Sequence, residues 1–326
     1  MKAAALALLL AAPAFAQAPA LEPLGLALEN HPYPHPVRFF PVTVEGQDLR
    51  MAYMDVAPSG PANGQTVLLL HGKNFFGAYW AGTIQVLSAA GFRVVVPDQL
   101  GFGKSPKPDI HYSFELLAQT TKALLDSLGV AKATVVGHSM GGMLAVRYAL
   151  LYPAATARLV LENPIGLEDY RVKVPFTSVD ATTASMLAPT REGLDRFYRT
   201  YFATWKPEFG LWAELAWRAT LSGEWPRAAR ASALTYDMIY TQPVVQDLPR
   251  LAVPTLLVIG QADRTTLGRG ALKPEVLAIL GRYPELGRRA QAAIPGAKLA
   301  PIEGVGHIPH LEAPDRFHAA LLDFLK

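Results

Sequence analysis

The chain has 326 residues, 51% of them hydrophobic and 17% charged, so it can bury a core for one large domain or two ordinary ones and is not a disordered chain. Its formal net charge is only +3, and no dense Lys/Arg run exists beyond Arg288-Arg289, which argues against nucleic acid as a partner. It contains no cysteine, which excludes disulfides, thiolate metal sites, a cysteine nucleophile and a lipoprotein-type anchor.

At the start, Lys2 precedes an apolar stretch, Ala3 to Ala12, and then Pro13. Ala14-Phe15-Ala16 puts small residues at the two positions a signal peptidase reads. The apolar run is too short to cross a bilayer. Residues 1–16 are therefore expected to be a signal peptide cleaved before Gln17, with the protein exported to the periplasm or the exterior and no stable membrane anchor. Residues 17–36, ending in His31-Pro32-Tyr33-Pro34-His35-Pro36, read as an extended arm laid on the surface.

Strand-like runs follow at Val37 to Val44, Leu49 to Val56 and Thr66 to Leu70; the last is apolar throughout its end, as a strand covered on both faces should be. Further strands are expected at Phe92 to Val96, Ala133 to Val136, Leu159 to Leu161, Thr255 to Ile259 and Lys298 to Ile302. Helices are expected around Tyr79 to Ala90, Phe114 to Leu128, Met140 to Leu151, Pro274 to Leu280 and Pro314 to Leu325. Alternation of this kind predicts an α/β fold, a mostly parallel sheet with helices on both faces, over residues 37–163 and 254–326.

Residues 164–253 break the rhythm. No convincing buried strand lies there, yet the segment holds four of the five tryptophans, Trp205, Trp212, Trp217 and Trp225. A helical, aromatic-rich insertion at this point is expected to cap the carboxyl ends of the strands. Some of its aromatics serve the insertion's own core, and others line an apolar pocket.

The strongest chemical signal is Gly137-His138-Ser139-Met140-Gly141, set between an apolar β-branched run and a helix. A serine on a tight strand-to-helix turn presents its hydroxyl at the end of the sheet, and flanking glycines let strand and helix pack closely. Serine needs a base to accept its proton and a third group to orient that base. Asp263 lies just past the strand Thr255 to Ile259, and His307 lies on a Gly-rich loop past Lys298 to Ile302. Glu162, at the end of another strand, is an alternative acid, and His310 is an alternative base. His71 and His138 are expected to hold structure, and Asp98 to order the turn before Gly101. His, Asp and Glu show no metal-ligand spacing, so neither a metal nor a cofactor is expected.

These motifs resemble an α/β-hydrolase with a helical cap, from about Val37 to the C-terminus. The likeness rests on Leu70-His71-Gly72, on Pro97-Asp98 through Lys104-Ser105, on the Gly137–Gly141 elbow, and on Gly306-His307 followed by Glu312-Ala313-Pro314. The order Ser139, Asp263, His307 is that of the family. The resemblance implies an eight-stranded, mostly parallel sheet and a Ser139-His307-Asp263 triad, with an oxyanion hole formed by the backbone N–H groups of Met140 and Lys73. Pocket candidates are Phe75, Phe76, Trp205 and Trp212. The Lys73 side chain is expected to face solvent, because burying its charge unpaired is costly.

The serine nucleophile argues against the haloalkane dehalogenase and epoxide hydrolase branches, and the His71–Gly77 loop lacks the proline that follows His-Gly-x in them. The expected activity is cleavage of a small-molecule carboxylic ester through an acyl-enzyme. Carbon–carbon bond hydrolysis, for which Arg191, Arg196 and Arg218 are available, lactone or amide cleavage, and non-catalytic small-molecule binding are the alternatives. A monomer is the default expectation.

Overall fold

The computed structural model describes residues 21–326; the expected signal peptide and the first residues of the arm lie outside the described residues. Among the described residues, eight strands form one sheet in the order β1-β2-β4-β3-β5-β6-β7-β8. They are β1 (Val37–Val44), β2 (Gln47–Val56), β3 (Thr66–Leu70), β4 (Arg93–Pro97), β5 (Ala133–His138), β6 (Thr156–Glu162), β7 (Thr255–Gly260) and β8 (Lys298–Ile302). β1 and β2 pair antiparallel, β2 joins β4 antiparallel, and every later pairing is parallel.

Period-two alternation sends successive side chains of the central strands to opposite faces. Leu68 and Leu70 of β3 enter one apolar cluster, and Val67 and Leu69 enter the other. The first cluster is closed by α2 (Phe114–Ser127), α3 (Met140–Leu151) and α9 (Tyr283–Ala293); the second by α1 (Ala81–Ala89) and α11 (Pro314–Leu325). Both faces are thereby covered, as a parallel sheet requires.

Two differences from the sequence reading matter for the site. Strand β5 runs two residues further than expected, through Gly137 to His138, so Ser139 follows the strand directly. Helix α9 was not anticipated, because charges and a Pro obscure its apolar face, yet Leu286 and Ala290 are buried and Gly287 lies against Ile259 of β7. A helix expected over Pro274 to Leu280 is a single turn, α8 (Pro274–Leu277). Further along the chain, α10 (Pro309–Glu312) is another single turn, just after His307.

Between β6 and β7 the chain forms α4 (Val179–Met186), α5 (Arg191–Arg199), α6 (Gly210–Thr220) and α7 (Trp225–Thr241), with no strand among the described residues of that segment. α4 packs on α7 and α5 on α6. Ser178 and Thr190 cap α4 and α5, each accepting a bond from the N–H three residues on. The arm is not simply extended on the surface. Residues 21–36 run as turns, and Leu24 and Leu28 are buried against Phe76, Ala78 and Leu215.

Candidate active site

Ser139 sits at the junction of β5 and α3 with φ 56° and ψ −119°, a conformation that costs an L-residue free energy and persists only where neighbours enforce it. The neighbours are identifiable. Ser139 N–H donates to the Glu162 carbonyl at 3.1 Å, while its own carbonyl accepts from Gly142 at 2.9 Å and Ile165 at 3.2 Å. The flanking glycines are sterically required: a Cβ on Gly137 would lie 2.2 Å from the Gly141 oxygen, and one on Gly141 would lie 2.2 Å from the Leu70 oxygen.

The fold brings Ser139, His307 and Asp263 together from three strand ends. Ser139 Oγ lies 2.9 Å from His307 Nε2, and His307 Nδ1 lies 2.7 Å from Asp263 Oδ2. With the proton on Nδ1, His307 donates to Asp263 and its Nε2 accepts from the Ser139 hydroxyl. Asp263 is held in turn: Thr265 N–H donates to Oδ1 at 2.7 Å and Asn163 Nδ2 donates to Oδ2 at 2.7 Å. Asn163 is a site residue that sequence reasoning missed. It is buried at φ 37°, and its Oδ1 accepts from Gly260 N–H, tying the end of β6 to the end of β7. No local pattern marks it, because its partners are about a hundred residues away.

The two alternatives, Glu162 and His310, pair with each other instead. His310 donates its backbone N–H to Glu162 Oε1 at 2.7 Å and its Nδ1–H to Oε2 at 2.9 Å. Its ring stacks on Trp80 with centroids 4.1 Å apart. Burial pushes the Glu162 carboxyl up to about 7 and holds His310 well below the usual imidazole range. The side chains of this second acid–imidazole pair make no hydrogen bond to Ser139, which meets only the Glu162 backbone carbonyl. His138 links the two pairs. Its Nδ1 accepts from the Tyr79 hydroxyl at 3.0 Å, and its Nε2–H donates to the His307 carbonyl at 2.8 Å. Burial keeps this imidazole neutral, well below its ordinary range.

The loop after β3 is braced on both sides. His71 Nδ1–H donates to the Gly72 carbonyl at 3.0 Å and its Nε2 accepts from Gln99 N–H at 3.0 Å, while Gly72 N–H donates to the Tyr79 hydroxyl at 2.9 Å. Asp98 orders the following turn and more. Its carboxylate accepts from Gly77 N–H at 2.6 Å, Lys104 N–H at 2.7 Å and the Tyr33 hydroxyl of the arm at 2.6 Å.

Lys73 corrects an expectation. Its side chain does not reach into solvent. The ammonium donates to the Ser232 carbonyl at 2.8 Å, Ser232 Oγ at 3.0 Å and Thr235 Oγ1 at 3.1 Å, all on α7. Three good acceptors offset the desolvation that an unpaired charge would suffer. No carboxylate is among them, and burial lowers the ammonium to about 7. Gly72, the residue before Lys73, packs against the elbow: a Cβ on it would lie 3.1 Å from Ser139 Cβ. Met140 is the first residue of α3, where a helix leaves its N–H groups without intrahelical partners.

Next to this centre is a cavity of about 210 Å³. Phe75, Phe76 and Trp212 line it. Trp205, the fourth pocket candidate, does not; it packs on Phe202 and Phe209 with the Arg199 guanidinium 4.3 Å from its ring centre. There it packs against the apolar cluster that holds Tyr198, Tyr201, Phe202 and Phe209 of the insertion together with Val67 and Leu69 of β3. The arginines available for an acidic substrate also point elsewhere: Arg191 and Arg196 are exposed, and Arg218 pairs with Glu214 and donates to the Glu22 carbonyl. Among the described residues no group of His, Asp and Glu could hold a metal ion, and no helix is long and apolar enough to cross a membrane.

The chain is similar to known proteins over most of its length. The model of a family described as the alpha/beta hydrolase family matches residues 67–320. A crystal structure of a probable hydrolytic enzyme from Pseudomonas aeruginosa PAO1 is 50% identical, covers 94% of this chain and 99% of its own, and superposes with a TM-score of 0.91. Lipase 1 of Psychrobacter immobilis is 29% identical over 80% of this chain and 77% of its own length. A 2-hydroxy-6-oxo-6-phenylhexa-2,4-dienoate hydrolase of Burkholderia cepacia is 28% identical over 80% of this chain and 88% of its own.

Proposed function

This chain belongs to the alpha/beta hydrolase family, and from that premise we propose that it is a serine hydrolase that cleaves carboxylic esters through an acyl-enzyme. The observation that carries the proposal is the continuous hydrogen-bonded chain from Ser139 Oγ through His307 to Asp263. His307 Nε2 takes the hydroxyl proton as Ser139 Oγ attacks the ester carbonyl carbon. The oxyanion that forms accepts from the backbone N–H groups of Met140 and Lys73, donors whose individual loss costs on the order of 10²–10³ in rate. On collapse, the alkoxide leaves with the proton from His307. Water then attacks the acyl-enzyme by the same route, releasing the acid and regenerating Ser139. Asp263 holds the Nδ1–H tautomer and stabilises the imidazolium, and Asn163 and Thr265 hold Asp263.

Ester cleavage is favoured over carbon–carbon cleavage of a dienoate acid because Arg191, Arg196 and Arg218 do not line the cavity, whose walls are largely aromatic and aliphatic, and the ammonium of Lys107, which does line it, is taken by the carbonyls of Gly103 and Ser105. The test is Ser139→Ala. The parent protein should give a burst with nitrophenyl acetate and react with a fluorophosphonate, and folded Ser139→Ala should lose both, with turnover down by at least about 10³-fold. Parent-like turnover by folded Ser139→Ala rejects the proposal. Export rests on residues 1–16; N-terminal sequencing of protein recovered outside the cytoplasm should begin at Gln17.

A further inference from the structure

The cavity beside the site is not closed by the insertion alone. Leu24, Leu26 and Leu28 of the N-terminal arm line it together with Trp212, Leu215 and Ala216 of α6, and Leu24 and Leu28 pack in one apolar cluster with Leu215 and Trp212. The arm is fastened there by polar bonds at both ends. Leu24 N–H donates to the Arg218 carbonyl at 3.1 Å, and Arg218 Nε–H donates back to the Glu22 carbonyl at 2.8 Å. Lys104 Nζ donates to the Leu28 carbonyl at 2.6 Å, and its ammonium lies 5.0 Å from the centre of the Tyr33 ring. Tyr33 bonds Asp98 and stacks on Phe76 at 5.5 Å. A segment tied to α6, to the Asp98 turn and to the loop after β3 is a built wall, not a loose tail.

The cavity also has a side. Its residues include Asn74 and Phe75, which directly follow Lys73, whereas His307 and Ser139 do not line it. Asn74 joins the two spaces: it lines the cavity, and its Nδ2 donates at 2.9 Å to the hydroxyl of Tyr201, whose ring stacks on His307. A leaving alcohol must depart next to His307 Nε2, which protonates it. A cavity that opens beside the oxyanion loop is therefore placed for the other half of the ester. Its size exceeds the ~150 Å³ apolar cavity that admits benzene, so it has room for an aryl ring or an alkyl chain of similar bulk.

We propose that the arm, through Leu24, Leu26 and Leu28, forms the wall of the acyl-binding cavity and sets which acyl groups the enzyme accepts, the preferred class being esters of apolar alkanoic or aryl-alkanoic acids. This rests on the ester-hydrolase reading above, and it makes residues upstream of the sheet specificity-determining.

The test uses nitrophenyl esters from acetate to decanoate with the whole protein. Leu26, which is half-buried, is enlarged in Leu26→Trp, and Ala216→Trp fills the same space from α6, so a folding failure of one leaves the other. Filling the cavity should lower the ratio of kcat/KM for hexanoate over acetate by about tenfold or more, the scale a hydrophobic pocket sets for misfit by a methylene or more. An unchanged ratio in both folded variants overturns the proposal. A second readout does not depend on turnover. Hexanol, standing in for the acyl chain, should bind Ser139→Ala saturably, as read by isothermal titration calorimetry. That binding should be lost in Ser139→Ala/Leu26→Trp and Ser139→Ala/Ala216→Trp. Binding without ester turnover by the parent rejects the hydrolase reading and keeps the arm-walled cavity; no binding to Ser139→Ala rejects the cavity.

Discussion

Asp263 Oδ2 lies 2.7 Å from His307 Nδ1, while Glu162, the other acid at a strand end, is bonded to His310 and never reaches His307. On the proposed mechanism the two carboxylates have separable duties. Asp263→Asn should preserve the fold and lower kcat by about 10⁴-fold, because an amide favours the wrong imidazole tautomer. Glu162→Gln should keep kcat within about tenfold, since it touches none of the reacting atoms and acts on His307 only through the fold. Steady-state kinetics on one activated ester decides both; equal losses would move the acid role away from Asp263.

The same buried Glu162 makes a stability prediction. Its carboxyl is raised from 4.5 to about 7 by burial, so the folded protein holds a proton that the unfolded chain has released. The favourable contribution is complete below the unfolded value and is lost as pH rises through about 7. The urea midpoint of the parent relative to that of Glu162→Gln should accordingly fall across those limits; the buried imidazoles of His138 and His310, lowered by burial, push the midpoint of both proteins the other way.

Lys73 has the opposite sign. Burial lowers its ammonium from 10.5 to about 7, so between these values the unfolded chain binds the extra proton and stability rises with pH. Lys73→Met should flatten that rise in the urea midpoint. Lys107, buried and lowered to about 8, adds to the rise in the same direction, so part of it remains. The same variant cuts the tie between the loop after β3, the proposed oxyanion loop, and α7, and should lower kcat more than it changes KM.

Asp98 anchors three donors from three segments: the loop after β3, the turn at Lys104 and the arm. Asp98→Ala strands them, at about 1–3 kcal/mol for each left unsatisfied. Chemical denaturation should show a loss of at least about 3 kcal/mol, and Tyr33→Phe, which removes one of the three bonds, a much smaller one.

Gly141→Ala should be among the most damaging small substitutions in the chain. The added methyl would meet the Leu70 carbonyl at 2.2 Å and also the His71 oxygen, both backbone atoms of the loop after β3. Neither can swing aside as a side chain would, so soluble, folded protein should be scarce, as read by expression and circular dichroism.

Much of this was legible locally. Apolar runs such as Thr66–Leu70 and Thr255–Ile259 announce buried strands because both faces of a parallel sheet are covered, and the Gly137–Gly141 pattern announces the elbow because strand and helix must touch there. Asp263 and His307 were legible for the same reason: a residue just past a strand's carboxyl end must lie on the functional edge of such a sheet. Helix α9 was hidden because its apolar face is narrow and interrupted by charge.

What the sequence by itself determined is the set of strand ends, and with them the chemical residues Ser139, Asp263 and His307 and the parallel order that gathers them. The tertiary structure alone decided the contacts between segments far apart on the chain. It paired Glu162 with His310, away from His307 and Asp263. It gave Asn163 to Asp263, turned the Lys73 ammonium onto α7, sent Trp205 away from the cavity, and brought Leu24 and Leu28 of the arm to its wall. The physical reason is the same in each case. Local backbone preference and apolar periodicity act over a few residues, whereas a buried polar group or a cavity wall takes its partner from whatever the packed fold places within hydrogen-bonding or van der Waals reach.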